Sequence, residues 1–222
     1  MDMENLWLIL IAAISYLLGS IPFSYFIARW QGKNLFEVGS KNIGAANVYR
    51  ATGKPSYFIF ALIGDAAKGV LAIFLCRQLS YLGYDLTMGF AIAAFFVVLG
   101  HNWPLFLKFK GGKGLASLVG ILLALNWKLI LISVGALLFS ILIVEFLLKK
   151  EIKLEGNLKK KIKKLFSILI SQVIGRVIGI VAAIIIAYFV DPQVLLIILP
   201  AAILSLIKHI KRTKTYAETL KK

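Results

Sequence analysis

The sequence predicts an all-α, polytopic transmembrane helix bundle of seven spans, with its N-terminus outside and its C-terminus cytoplasmic. Three observations carry this. Of 222 residues, 60% are hydrophobic and only 16% are charged, against about 45–50% and 25% in soluble domains. The apolar residues fall into stretches near the ~20 residues that cross a bilayer. The 26 Lys and Arg residues, which leave the chain at +16, gather between alternate stretches, as membrane topology requires. Disorder is excluded by the hydrophobicity. The basic excess is read as loop charge facing a bilayer, with no nucleic-acid partner expected.

Asn5–Ala28 carries no charge and forms the first predicted span. Asp2 and Glu4 before it lack the positive start of a secretory signal, so the stretch is read as retained. Pro55–Cys76 follows, apolar except for Asp65 and Lys68, and then Leu86–Leu107, where His101 is the one titratable residue. Gly114–Leu148 covers 35 residues, roughly 52 Å at 1.5 Å per residue and too long for one crossing. Asn126, Trp127 and Lys128 divide it into a short fourth span and a fifth. Leu165–Val190 and Val194–Ile207 complete the set, with Asp191, Pro192 and Gln193 as the turn between them. With the N-terminus outside, the cytoplasmic segments hold 22 Lys and Arg and the outside segments hold 2. The chain is read as one domain, 1–222. Residues 149–164 form a basic cytoplasmic loop, either solvated or lying on anionic lipid. Cys76, alone, forms no internal disulfide, and no Cys/His pattern suits a metal.

Two cytoplasmic loops concentrate the polar chemistry. The first, Gly39–Lys54, reads GSKNIGAANVYRATGK, and the second, Gly100–Gly114, reads GHNWPLFLKFKGGKG. In the second, Lys110, Gly111, Gly112, Lys113 and Gly114 precede an apolar helix. Glycines let backbone N–H groups turn toward an anion, the helix start adds partial positive charge, and the lysines add full charges. That suits a phosphate dianion, although a plain positive-inside loop has the same composition. In the first loop, Ser40, Asn42, Gly44, Asn47 and Arg50 stand close in sequence. If the chain is helical from Gly44, Asn47 and Arg50 share a face and can hold a polyol phosphate. Capping by Ser40 or Asn42 with a snorkelling Arg50 accounts for the same residues. Asp65 and Lys68 are an i,i+3 pair within a span, either a structural ion pair or a support beneath the polar site. His101, three residues before Pro104, is either an interfacial residue or a phosphate ligand. Ser167 either lines the same pocket or bonds within its own helix.

These segments resemble a known family. GSIPFSYFIAR, GSKNIGAANVYRATGK, DAAKG and GHNWPLFLKFKGGKG, in that order over Gly19–Gly114, look like the bacterial acyl-phosphate:glycerol-3-phosphate acyltransferases. The resemblance implies a multi-pass enzyme of phospholipid synthesis in the bacterial cytoplasmic membrane, its active site facing the cytoplasm. It would move a fatty acyl group from acyl phosphate to the 1-hydroxyl of glycerol 3-phosphate, giving lysophosphatidic acid and phosphate. No cofactor or metal is implied, and a monomer is expected. Ser40, Arg50, His101 and Lys110 are the catalytic candidates. Asn42, Gly44, Asn47, Asp65, Lys68, Gly111, Gly112, Lys113, Gly114, Ser167 and His209 are the substrate-binding candidates. The chemistry suits these residues, since acyl phosphate carries its own leaving group and no nucleophilic triad is required. The alternatives are a member with impaired catalysis or another acceptor, and an anion transporter using the same loops. The chain departs from the family pattern at Lys41, where Gly is usual, and at Ala46, where Thr is usual. It departs again around Ser167 and at Arg212, where the third and C-terminal motifs are altered.

Overall fold

The computed structural model describes residues 3–79, 85–149, 157–171 and 173–220. All regular structure there is helical: α1 (Met3–Ser20), α2 (Phe23–Trp30), α3 (Ala45–Thr52), α4 (Pro55–Leu79), α5 (Leu86–Asn102), a 3-10 turn at Leu105–Leu107, α6 (Leu115–Leu125), α7 (Trp127–Lys149), α8 (Leu158–Ser171), α9 (Val173–Val190) and α10 (Pro192–Leu220). Five stretches among the described residues are long and apolar enough to cross a membrane: Asn5–Trp30, Pro55–Gln78, Leu86–Leu107, Trp127–Leu147 and Pro192–Ile210. Leu115–Leu125 and Ile174–Val190 are shorter apolar helices.

Local chemistry sets most boundaries. Pro55 opens α4, where its missing N–H costs nothing and its fixed φ suits the first turn. Gly53 closes α3 in the left-handed conformation, its N–H bonded to the Tyr49 carbonyl at 2.7 Å. The Asp85 side chain accepts from the Thr87 N–H at 2.8 Å and caps α5. Asn126 is extended and separates α6 from α7, as the sequence predicts. The predicted first span stands as one apolar stretch, within which the chain leaves helical geometry at Ile21 and Pro22 before α2 begins. Pro22 has no N–H to continue α1 and pushes Ile21 out of the α region. The predicted loop 149–164 is helical from Leu158 onward; its residues 150–156 lie outside the described ones.

The chain divides into two compact units, 1–127 with 192–205, and 128–191 with 206–222. In the first, α1 packs on α5, α4 packs on α5 and α6, and α2 and α3 pack on α4. Gly19 and Gly100 let α1 and α5 approach backbone to backbone: a Cβ on Gly19 would meet the Val97 carbonyl, and one on Gly100 the Tyr16 carbonyl. Small residues at such contacts are how helices pack where lipid supplies no hydrophobic drive. In the second unit, the Ser140 hydroxyl donates to the Gly175 carbonyl at 2.8 Å, which ties α7 to α9.

Helix α4 shows the membrane logic most clearly. Ile59, Phe60, Ile63 and Phe74 are exposed, whereas Asp65 and Lys68 are buried. A water-soluble helix would place them the other way round. In lipid, apolar side chains face outward and ionisable ones turn into the protein.

Candidate active site

The first loop is pinned from within. Leu35 and Ile43 are buried with Ala28 of α2, Ala45 and Val48 of α3 and Ala61 of α4. Asn47 completes the brace. Its side-chain oxygen accepts from the Ser40 N–H at 2.8 Å, and its amide donates to the carbonyls of Leu35 at 3.1 Å and Val38 at 3.0 Å. Both amide hydrogens are therefore engaged by the loop. Asn47 is buried and Arg50 half-buried, so although α3 carries both, Asn47 turns inward and acts on the loop's shape. Gly39 has φ +57, and a Cβ there would press on the Asn47 side-chain oxygen and on the Arg50 stem.

Ser40 and Asn42 are half-buried and Lys41 is exposed. Lys41 has φ 52, in the left-handed region that favours glycine. This is the position where the resembled family has glycine. The backbone here keeps that geometry with a lysine in place.

The second loop closes on the end of α5. The Gly112 N–H donates to the His101 carbonyl at 2.9 Å. A Cβ on Gly112 would overlap the His101 imidazole at Nε2 and the Ile43 carbonyl; one on Gly111 would meet the carbonyls of His101 and Asn102 and the Pro104 ring. Gly114 has φ +78 and starts α6. The three glycines are buried, Lys113 is half-buried and Lys110 is exposed. Gly112 thus brings the two loops together at Ile43, between Asn42 and Gly44. Gly44 itself is open, with nothing within 4 Å of a Cβ added there.

Below this junction lies a buried polar network. Lys68 Nζ stands 2.7 Å from Asp65 Oδ1, and His101 Nδ1 stands 3.7 Å from the same oxygen. The Ser24 hydroxyl donates to Asp65 Oδ2 at 2.6 Å. Lys68 also donates to the Gly19 carbonyl at 3.4 Å and lies over the Phe23 ring. The Ser117 hydroxyl, in the first turn of α6, donates to the Asp65 backbone carbonyl at 3.1 Å. Beside the network, buried Asn102 donates to the Leu204 carbonyl of α10 at 3.5 Å. Sequence reasoning did not single out Ser24, Asn102 or Ser117. Asn102 adjoins His101, which was a usable signal; Ser24 and Ser117 meet Asp65 across 41 and 52 residues, which no local pattern reveals.

The structure thus gathers most of the candidates in the first unit. Ser40, Asn42, Gly44, Asn47 and Arg50 lie in or beside the first loop, and His101 and 110–114 in the second. Asp65 and Lys68 lie beneath. Ser167 lies on α8 and His209, buried, on α10, both in the second unit. Among the described residues, no group of three or more His, Cys, Asp or Glu is arranged to hold a metal ion.

Comparison with known proteins gives a consistent result. A family profile described as glycerol-3-phosphate acyltransferase matches residues 9–219. The glycerol-3-phosphate acyltransferase of Wolbachia sp. subsp. Brugia malayi (strain TRS) is 47% identical over 122 residues, covering 55% of this chain and 62% of the relative. That of Jannaschia sp. (strain CCS1) is 49% identical over 121 residues, covering 54% and 57%. The chain therefore spans about three fifths of the length of these curated relatives. A crystal structure of PlsY (YgiH), an integral membrane glycerol 3-phosphate acyltransferase in its glycerol 3-phosphate form, aligns with TM-score 0.69 and 26% identity over 96% of this chain and 92% of that one. Its lysophosphatidic acid form aligns with TM-score 0.70 and 25% identity over the same shares.

Proposed function

The chain belongs to the glycerol-3-phosphate acyltransferase family, and from that premise we propose that it transfers a fatty acyl group from acyl phosphate to the 1-hydroxyl of glycerol 3-phosphate. The observation that carries this reading is the meeting of the two basic loops at Gly112 and Ile43, with His101 against Gly112. Two phosphate-bearing substrates need cationic and N–H donors converging on one place, and this junction supplies them.

The reaction divides as follows. The acceptor hydroxyl oxygen attacks the acyl carbonyl carbon, its proton passing to the acceptor's own phosphate. The tetrahedral oxyanion collapses, and the carbon–oxygen bond to the donor phosphate breaks. Lysophosphatidic acid and inorganic phosphate leave. The leaving group is already a phosphate anion, so the chain has to bind, align and neutralise charge. Arg50 offers a planar fork matched to phosphate oxygens. Lys110 and Lys113 add point charges. His101 and the N–H groups of 111, 113 and 114, at the positive end of the α6 dipole, hold phosphate, while the Gly112 N–H keeps the turn closed on the His101 carbonyl. Ser40 and Asn42 contact the acceptor at the open space beside Gly44, and Asn47 keeps that loop in shape. Asp65 and Lys68 serve from beneath. Ser167 and His209 are substrate-binding candidates on the sequence resemblance alone.

The proposed topology is seven crossings with the N-terminus outside, in a bacterial cytoplasmic membrane, with the site facing the cytoplasm. The five long apolar stretches and two shorter helices support that count, and the distribution of Lys and Arg supports the orientation. Helix α6, with 11 residues, reaches roughly half of a 30 Å hydrocarbon layer. Its glycine-rich start then lies in a recess of the membrane, which irregular backbone tolerates only when enclosed by protein. The acyl chain stays in lipid while the soluble acceptor enters from the cytosol. The test is purified protein in proteoliposomes given acyl phosphate and glycerol 3-phosphate, with Ser40→Ala as control. Lysophosphatidic acid and phosphate in equal amounts are expected from the wild type; no product would end this reading.

A further inference from the structure

We propose that Asp65, clamped by Ser24 and Lys68, is a positioning residue that orients the His101 imidazole toward the glycine turn at Gly112. The proposal rests on the reading above, that this turn receives phosphate.

A buried ion pair needs only two partners, but this carboxylate has more, from several elements. Lys68 of α4 approaches Oδ1, and Ser24 of α2 donates to Oδ2 at 2.6 Å. With both oxygens engaged, the plane of the carboxylate is set. Lys68 is itself held by the Gly19 carbonyl of α1 and the Phe23 ring. The Asp65 backbone is tied by Ser117 to the helix that follows the glycine turn. One edge of the carboxylate, Oδ1, is shared with His101 Nδ1 at 3.7 Å.

That distance exceeds a hydrogen bond, and such contacts commonly tighten when substrate fills a site. Its direction matters more. A carboxylate facing Nδ1 favours the proton on that nitrogen, and the partner of one ring nitrogen fixes what the other can do. The other edge of the ring, at Nε2, abuts Gly112, where a Cβ would overlap it. The His101 carbonyl meanwhile accepts the Gly112 N–H at 2.9 Å. The ring therefore stands between a fixed carboxylate and the turn, one nitrogen toward each. Ser24 touches neither loop in this scheme; it acts through Asp65, and Asp65 acts through His101.

Ser24→Ala, Ser24→Thr, His101→Ala and the double variant Ser24→Ala/His101→Ala are compared with wild type in proteoliposomes. Ser24→Ala should raise the KM for glycerol 3-phosphate about tenfold, a change typical of small misplacements of a binding group. Its Tm should fall by no more than one charge-assisted hydrogen bond accounts for, and Ser24→Thr, which keeps the hydroxyl, should restore the KM. The double variant should be no worse than His101→Ala, because a residue acting through another has nothing left to position. Unchanged kinetics in Ser24→Ala, or losses that add in the double variant, would overturn the proposal. If the wild type makes no lysophosphatidic acid, the acyltransferase reading falls separately. The inference is then decided by the rise in Tm that inorganic phosphate causes. A rise in the wild type that Ser24→Ala diminishes upholds the positioning role, and an equal rise, or none in either, refutes it.

Discussion

Gly112 and His101 meet twice: the glycine N–H bonds the histidine carbonyl at 2.9 Å, and the imidazole occupies the space a Cβ on Gly112 would need. The cost of any side chain at residue 112 is thus displacement of the ring, of the Ile43 carbonyl, or of both. The lack of a side chain is what allows the two loops to share a boundary.

Gly112→Ala should therefore lower acyltransferase activity at least ~100-fold through misplacement of both loops, together with a fall in Tm. Gly44→Ala makes the contrasting case. Residue 44 is extended, with φ 170, and its Cβ would meet no protein atom within 4 Å. Its Tm should hold while activity drops, because on the proposed binding mode a Cβ there meets the acceptor. Paired Tm and rate measurements separate the two; wild-type kinetics in Gly44→Ala would remove it from the binding set.

Arg50→Lys keeps the charge and loses the bidentate fork. The KM for glycerol 3-phosphate should rise roughly ten- to a hundredfold, consistent with ~1.5–3 kcal/mol for a charge-assisted hydrogen bond. A steady-state titration of the acceptor checks this. An unchanged KM would assign Arg50 to packing against Gly39 and the lipid interface.

Lys41 holds a left-handed φ of 52. Lys41→Gly relieves a strain of about 1–2 kcal/mol that an L side chain bears there, partly offset by about 0.5–1 kcal/mol of glycine's chain entropy. The variant should keep full activity with a Tm equal to or above that of the wild type. A marked fall in Tm would show that the lysine side chain itself stabilises the loop.

Lys68→Met alone leaves Asp65 buried without its cation and should destabilise by about 3–5 kcal/mol. Asp65→Asn/Lys68→Met removes both charges and should recover most of that loss. Denaturation in mild detergent measures both. Equal losses in the single and double variants would mean that the 2.7 Å pair contributes little to folding.

Much of the architecture was legible because its causes are local. The length of an apolar run, the extended Asn126, Pro55 at a helix start and Gly53 at a helix end act over a few residues, so α4 through α7 fall where composition places them. The same holds for the composition of the two loops. Local causes also act at Pro22, which breaks the helix within the first apolar run, and after Asn157, where the lysine-rich segment has the periodicity of a helix.

By itself, then, the sequence determined that this is a multi-helix membrane protein with two cationic, glycine-rich connections, because hydrophobic length and backbone breakers operate along the chain. Only the tertiary structure decided which polar groups face one another. Asn47 turns inward to brace its loop, Ser24 reaches Asp65 across 41 residues, and Gly112 rests on His101. A polar side chain taken out of water must find its partners wherever packing brings them, and nothing in the neighbouring sequence encodes that distance.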